Sequence, residues 1–225
     1  MLKSVIKYSI WLIFIPLMVL VGVFLFHDKQ YAWISLCIVI SGGIPFILTF
    51  EKKDTNTKKM LLIAVMTSVS VVGRLVFAPI PGFKPVSAMV IITAMYLGKE
   101  AGFMTGALSA VISNFYFGQG PWTPFQMFVW GLIGLLAGIF EKKLKQNRWF
   151  LYLYGIFAGV IFSLLMDIWT VLWWDGTFHL KRYLAAIISA GGYTVVYAVS
   201  NVVFLLLAAK PIGEKLERIK CKYGI

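Results

Sequence analysis

Residues 101–140 decide the fold, because they read AGFMTGALSAVISNFYFGQGPWTPFQMFVWGLIGLLAGIF and contain no charged side chain. The run is interrupted by GQGPWTP at 118–124, where glycine and proline favour a loop. The flanks, 101–117 and 123–140, each have about the length of a membrane helix, roughly 17–25 residues. The stretch therefore predicts two membrane helices joined by a short loop.

The same charge-free pattern continues along the rest of the 225-residue chain. Hydrophobic residues make up 60% and charged residues 13%, compared with about 25% charged residues in a soluble domain. This composition excludes a soluble enzyme and a disordered chain. We predict an all-α polytopic membrane protein, whose eight candidate helices are about 8–26, 31–50, 60–78, 85–98, 101–117, 123–140, 149–174 and 183–209.

The segment 85–98 is short for a membrane span. Fourteen residues of helix rise about 21 Å, whereas the hydrocarbon core is about 30 Å thick. We expect this helix either to be tilted or to extend back towards Pro81.

The formal net charge is +12, and membrane topology accounts for it without nucleic acid. If the N-terminus is cytoplasmic, the inside segments hold 16 Lys and Arg residues and the outside segments hold 4. Lysine and arginine concentrate in cytoplasmic loops. The chain is therefore expected in the cell membrane with both termini cytoplasmic.

The polar linker Glu51–Lys59 divides the chain into two modules. We expect two N-terminal transmembrane helices within residues 1–55. The first is interpreted as uncleaved, because FLFHD at 24–28 lacks the small residues of a cleavage site. Residues 56–225 are expected to form a six-helix core with a basic cytoplasmic tail.

Catalytic and metal-binding motifs are absent from the sequence. There is no phosphate-binding GxxxxGK[ST], no HExxH, no GxSxG and no Cys/His metal spacing. His27 and His179 lie in separate predicted loops. We predict no catalytic residue, no metal site and no cofactor, and an intramembrane enzyme is poorly supported.

Two charged side chains, Arg74 and Asp167, lie within predicted spans. Because charge is costly in a membrane, each is expected to pair or to function. An ion pair that locks two helices and a direct ligand contact are both open.

Aromatic and polar side chains crowd the predicted outer side of the core. Rings can stack on the apolar body of an organic ligand while amides and hydroxyls orient it. For any single Trp, an interfacial aromatic belt is the more common explanation. The candidate substrate-binding residues are Arg74, Phe83, Lys84, Asn114, Tyr116, Gln119, Trp122, Gln126, Asp167, Thr170 and Trp174, with Trp169 and Trp173 nearby.

Small residues recur at four-residue spacing on three predicted helices, at Ala64/Ser68, Gly102/Gly106 and Gly134/Gly138. Such pairs let helices approach closely. Most are explained by packing inside the core, and an exposed pair could dock a partner subunit.

Residues 58–140 resemble a known family. GRLVF at 73–77, PGFKPVSA at 81–88 and LGKEAGFMTGALSA at 97–110 look like the S-components of energy-coupling factor (ECF) vitamin transporters. SNFYFGQGPWTPFQM at 113–127 more narrowly resembles the cobalamin-type branch.

The resemblance implies a six-helix bundle that binds a vitamin from outside. It implies a transmembrane T protein and two cytoplasmic ATPases as partners, with Ala64 and Ser68 at the position of the family's docking motif.

The expected ligand is cobalamin or cobinamide, whose cobalt travels inside the corrinoid. Another vitamin or a queuosine precursor is the alternative within the class. A membrane assembly subunit without a ligand is the alternative from a different class.

Overall fold

Seven α-helices make up the computed structural model, which describes residues 57–120, 122–176 and 178–224. They are α1 (Thr57–Val76), α2 (Val86–Leu97), α3 (Lys99–Phe117), α4 (Trp122–Ile139), α5 (Glu141–Gln146), α6 (Arg148–Asp175) and α7 (Leu180–Tyr223). The predicted helices 8–26 and 31–50 lie outside the described residues.

The all-α class and the order of the six core helices agree with the sequence prediction. Two features differ: the short α5 was not predicted, and α7 continues to Tyr223 rather than ending near residue 209. A charge-free run measures only the apolar part of a helix, and α7 continues past Pro211 into its basic tail. Four helices, α1, α4, α6 and α7, are long and apolar enough to cross a membrane.

Helix α2 forms the centre of the bundle. It is apolar on all sides, and every residue except Tyr96 is buried, as expected for a helix surrounded by others. Pro85 precedes it and Gly98 follows it with a φ of 92°. The helix therefore does not extend back to Pro81.

The loop between α1 and α2, residues 77–85, enters the bundle. The backbone N–H of Lys84 donates to the Ser200 hydroxyl at 2.8 Å, and that hydroxyl donates to the Lys84 carbonyl at 3.0 Å. Ser200 lies twenty residues into α7, roughly 30 Å from its start along the axis. Because the loop enters between the helices, α2 starts inside the bundle and can be short. Buried protein surroundings are where irregular backbone is tolerated at membrane depth.

Helices α3 and α4 pack through the predicted glycine pairs. A Cβ placed on Gly102 would lie 2.8 Å from the Gly134 carbonyl oxygen, and one on Gly106 would lie 2.4 Å from the Trp130 carbonyl oxygen. Only glycine permits such close contact between the two backbones. This packing fixes the antiparallel register of α3 against α4.

Candidate ligand-binding site

A polar network lies where α1 and α3 end and α4 begins, and we call this end of the bundle the site end. Arg74 on α1 donates from Nη1 to the Ser113 hydroxyl and, at 2.9 Å, to the Asn114 Oδ1 on α3. The guanidinium carbon also lies 4.4 Å from the Phe117 ring centroid. The arginine side chain is thereby held in one orientation.

Asn114 is the centre of this network. Its side chain is 1% exposed, and its Nδ2 donates to Thr123 Oγ1 and to Gln126 Oε1, both at 2.9 Å. The Asn114 side chain therefore accepts a hydrogen bond from Arg74 and donates both of its amide hydrogens to α4. Thr123 also receives the Gly120 N–H at 3.3 Å, so the turn before α4 is tied to the same network.

Four aromatic rings surround the ammonium group of Lys84, and we call them the aromatic cage. Its Nζ lies 5.6 Å from the Trp130 centroid, 5.2 Å from Phe162, 5.1 Å from Tyr193 and 4.8 Å from Tyr197. The ammonium also donates to the Tyr193 hydroxyl. Ring faces attract cations, so the cage offsets part of the cost of burying the ammonium group.

Burial lowers the pKa of this loop lysine to about 7, and the charge on Arg74 lowers it as well. The ammonium form is therefore only partly populated at neutral pH.

Trp130 joins the polar network to the aromatic cage. Its ring centroid lies 5.1 Å from the Arg74 guanidinium carbon and 5.6 Å from Lys84 Nζ. Its indole N–H donates to the Tyr197 hydroxyl at 2.8 Å, and that hydroxyl contacts the Ser87 hydroxyl at 2.5 Å. The ring is completely buried, so its position is fixed by packing and by hydrogen bonding.

Tryptophans line the site end beside the network. The Trp122 and Trp169 rings meet edge to face at 6.1 Å, and Trp169 stacks on Trp173 at 5.5 Å. Trp122 and Trp169 are half-buried, whereas Trp173 is 42% exposed. Nearby, a cleft of about 830 Å³ is lined by Asp175, Ala185 and the intervening described residues 179–182.

Five of the candidate binding residues belong to the polar network, the aromatic cage or the tryptophan group. They are Arg74, Lys84, Asn114, Trp122 and Gln126. Their role in ligand binding stays a prediction.

Three candidates, Tyr116, Gln119 and Trp174, are exposed. Tyr116 is 72% exposed and Trp174 is 76% exposed. Gln119 is also exposed, and its amide donates back to the Val111 carbonyl of α3 at 2.8 Å.

Phe83 and Thr170 make packing contacts within the bundle. The Phe83 ring lies 5.6 Å from Phe77 and 5.2 Å from Phe204, which pins the loop to α7. Thr170 donates to the Met166 carbonyl of its own helix at 3.0 Å.

Arg74 and Asp167 do not form the ion pair that the sequence left open. Arg74 is engaged by α3, and the buried Oδ2 of Asp167 on α6 has no hydrogen-bond partner among the described residues. The two helices present these side chains to different neighbours. Asp167 stays a candidate residue with an unsatisfied acceptor.

Six residues of the network and the cage were not among the candidates: Ser113, Thr123, Trp130, Phe162, Tyr193 and Tyr197. Two spacings could have indicated some of them. Tyr193 and Tyr197 are four apart, as are Gln126 and Trp130, so each pair shares a helix face. No sequence signal placed Lys84 beside them, because that contact depends on the descent of the loop.

Within the described residues, no group of three or more His, Cys, Asp or Glu could hold a metal ion.

Ala64 and Ser68, the candidate docking residues, lie on the exposed face of α1. Leu61, Val65 and Val72 on the same helix are also exposed. Ser68 donates to the Ala64 carbonyl at 2.9 Å, so its hydroxyl needs no outside partner.

These features define an all-helical membrane protein with a polar and aromatic interior at one end of the bundle. Comparison with protein families extends the definition. The family model of the ECF-type riboflavin transporter S component matches residues 53–218. The chain therefore belongs to the S components of ECF transporters. It is a multi-pass membrane protein and a substrate-binding transporter subunit, not an enzyme.

Neither the comparison with curated proteins nor that with solved structures finds a match.

The cobalamin-type branch is not supported by this match, which names the riboflavin type. The motif at 113–127 suggested that branch. In the structure, several of its residues form the α3–α4 turn: Gln119 caps back onto α3, and Thr123 bonds to Gly120. These hydrogen bonds stabilise the turn itself.

Proposed function

We propose that the chain is the substrate-capture subunit for a flavin vitamin, with riboflavin as the reference ligand. The observation that carries this proposal is the match of residues 53–218 to the riboflavin-type S component. This choice corresponds to the alternative of another vitamin rather than to a corrinoid.

The chemistry of the site end supports a flat, amphipathic ligand. The isoalloxazine ring offers a broad face for stacking and an edge with carbonyl and N–H groups. Trp122 and Trp169 supply ring surfaces, and Gln126, four residues after Trp122 on the same helix and held by Asn114, supplies an amide group. A mostly apolar site with a few fixed polar groups is typical of small-molecule sites.

Titration of the detergent-purified full chain with riboflavin tests the proposal. We expect saturable one-to-one binding, which can be monitored by the quenching of flavin fluorescence by the tryptophans of the site end. Cyanocobalamin and cobinamide serve as comparison ligands in parallel titrations. Saturable binding of a corrinoid but not of riboflavin would overturn the flavin assignment, and absence of binding by any vitamin would favour an assembly subunit.

A pair of variants locates the site. Asn114→Ala removes the centre of the buried network, whereas Gln119→Ala alters an exposed amide that bonds only to the Val111 carbonyl of α3. We expect riboflavin affinity to fall in the first variant and to be retained in the second. Equal affinities in both would place the flavin elsewhere.

We further propose that the site end faces the outside and both termini face the cytoplasm, as the distribution of lysine and arginine indicates. Cys221 is exposed near the end of α7, and Cys37 can be replaced by serine. In right-side-out vesicles, a membrane-impermeant maleimide should label Cys221 only after permeabilisation. Labelling of intact vesicles would reverse the orientation.

Membership of the family implies partners that supply energy, namely an ECF T protein and two ATPases. We propose that the exposed Ala64–Ser68 face of α1 contacts the T protein, because both side chains are small and accessible. Uptake of riboflavin by the reconstituted complex should require ATP. ATP-independent accumulation against a gradient would contradict this role.

A further inference from the structure

Two cations lie close together inside the bundle. The Arg74 guanidinium carbon is 5.1 Å and the Lys84 ammonium nitrogen is 5.6 Å from the centroid of the same Trp130 ring, so they are at most 10.7 Å apart. Arg74 reaches this ring from α1, and Lys84 reaches it from the inserted loop. Both side chains are half-buried.

Neither cation has a carboxylate partner within salt-bridge distance among the described residues. Within the described part of the chain, hydroxyls, an amide oxygen and aromatic rings are the groups that contact the two charged side chains. Asp175 is paired with Arg182 at 2.8 Å. Asp167 on α6 forms a salt bridge with neither cation, and its buried Oδ2 has no hydrogen-bond partner among the described residues. The other described acidic residues, Glu100, Glu141, Glu214 and Glu217, lie at the opposite end of the bundle.

Two neighbouring positive charges without a counter-ion are costly in a low-dielectric interior. Neutral partners orient them but leave their charge uncompensated. A phosphate ester would compensate both, since arginine and lysine are the side chains that bind phosphate oxygens.

We propose that the ligand of this site carries a phosphate group, which binds between Arg74 and Lys84. This inference rests on the proposed function and narrows it: the preferred substrate is riboflavin 5′-phosphate rather than riboflavin. The flavin ring then lies toward the tryptophans of the site end, and the phosphate lies at the Trp130 ring.

Calorimetric titration of the full chain with both flavins tests this preference. We expect riboflavin 5′-phosphate to bind at least about tenfold more tightly than riboflavin, because charge-assisted hydrogen bonds are roughly twice as strong as neutral ones. In Lys84→Met, the preference should fall to about threefold or less, and Lys84→Arg should restore most of it.

A stability measurement separates binding from folding. Lys84→Met replaces a charge with an apolar side chain of similar length inside the aromatic cage, so this variant should melt at a higher temperature than the unaltered chain without ligand. A lysine needed only for structure would give a lower melting temperature and equal losses of affinity for both flavins. That result would overturn the inference.

Inorganic phosphate distinguishes failure of this inference from failure of the flavin proposal. At constant ionic strength, phosphate should raise the melting temperature of the unaltered chain more than chloride does, and this difference should vanish in Lys84→Met. If neither flavin binds but this phosphate effect is present, the flavin assignment fails and the anion site stands. If riboflavin binds and its phosphate ester binds no more tightly, the flavin assignment stands and the anion site is wrong. If no flavin binds and phosphate has no effect, both are wrong.

Discussion

Substitution of Gly106 by alanine should separate α3 from α4. A Cβ at this position would lie 2.4 Å from the Trp130 carbonyl oxygen and 2.5 Å from its carbonyl carbon. Ordinary contacts of a Cβ begin near 3.4 Å, so the helices must move apart by 1.0 Å. The atoms that clash belong to the backbone and cannot rotate away.

The size of the effect follows from this clash. Insertion of a methyl group into a packed core costs about 1–3 kcal/mol. Alanine is also the better helix former by up to about 1 kcal/mol, which would mask part of the cost. Gly192→Ala is the matched control, because this helical glycine has no atom within 4 Å of its Cβ position. The propensity gain applies to both variants and cancels in their comparison.

Thermal unfolding of the two variants in detergent measures the difference. For a chain of 150–250 residues, 1 kcal/mol corresponds to roughly 2–4 °C in melting temperature. We therefore expect Gly106→Ala to melt roughly 2–12 °C below Gly192→Ala. Riboflavin affinity should fall only in Gly106→Ala, because the α3–α4 contact positions Asn114 against Gln126. Equal melting temperatures would refute the argument that glycine sets the distance between these helices.

Three further predictions follow from the site and from the exposed face of α1. Asn114→Ala should lower the free energy of unfolding by about 1–3 kcal/mol, because it leaves the buried partners of Asn114 without their hydrogen bonds. Denaturation in detergent measures this loss. Unchanged stability would mean that water replaces the amide. Affinity for riboflavin 5′-phosphate should decrease as the pH rises from 7 to 9, because the pKa of Lys84 is lowered to about 7 and the residue loses its charge over this range. The groups that face Lys84 are of types that titrate near 10 or above; they are Arg74, Tyr193 and Tyr197. Riboflavin, which lacks the phosphate, is the uncharged control. An affinity for riboflavin 5′-phosphate that does not change with pH would exclude a role for the Lys84 charge. Ala64→Leu should prevent co-purification of the T protein while leaving riboflavin affinity intact. The control Val199→Leu changes an exposed side chain on α7 and should affect neither property. Normal co-purification of the T protein with Ala64→Leu would place the docking surface elsewhere.

The helices could be predicted from the sequence because membrane spans contain few or no charged residues. Five of the six core helices lie within three residues of their predicted bounds, including the doubtful α2. The sequence indicates that α2 is short, but it does not indicate why. The position of loop 77–85 depends on its hydrogen bonds with Ser200, more than a hundred residues later. The end of α7 was missed for a local reason: apolar length does not report how far a helix continues into water.

The site was predictable in part and for a different reason. Arg74 and Asn114 stood out because charge and amide groups are expensive within a span. Tyr116 and Trp174 belonged to the same aromatic composition, yet the structure leaves them exposed. Composition cannot distinguish a ring that faces the interior from one at the protein surface. Phe162 and Tyr197 were missed because apolar and aromatic residues on a long membrane helix look alike until a neighbour such as Lys84 selects one face.

Trp130 links both cations to the helices around them. Arg74 connects its ring to α1 and, through Asn114, to α3, while Lys84 and Tyr197 connect it to the inserted loop and α7. Repulsion between the two cations opposes close approach of these two halves when the site holds no anion. A bound phosphate would convert that repulsion into attraction on both sides of one ring. Under the phosphate proposal, ligand binding would tighten the contact between loop 77–85 and the helices around it.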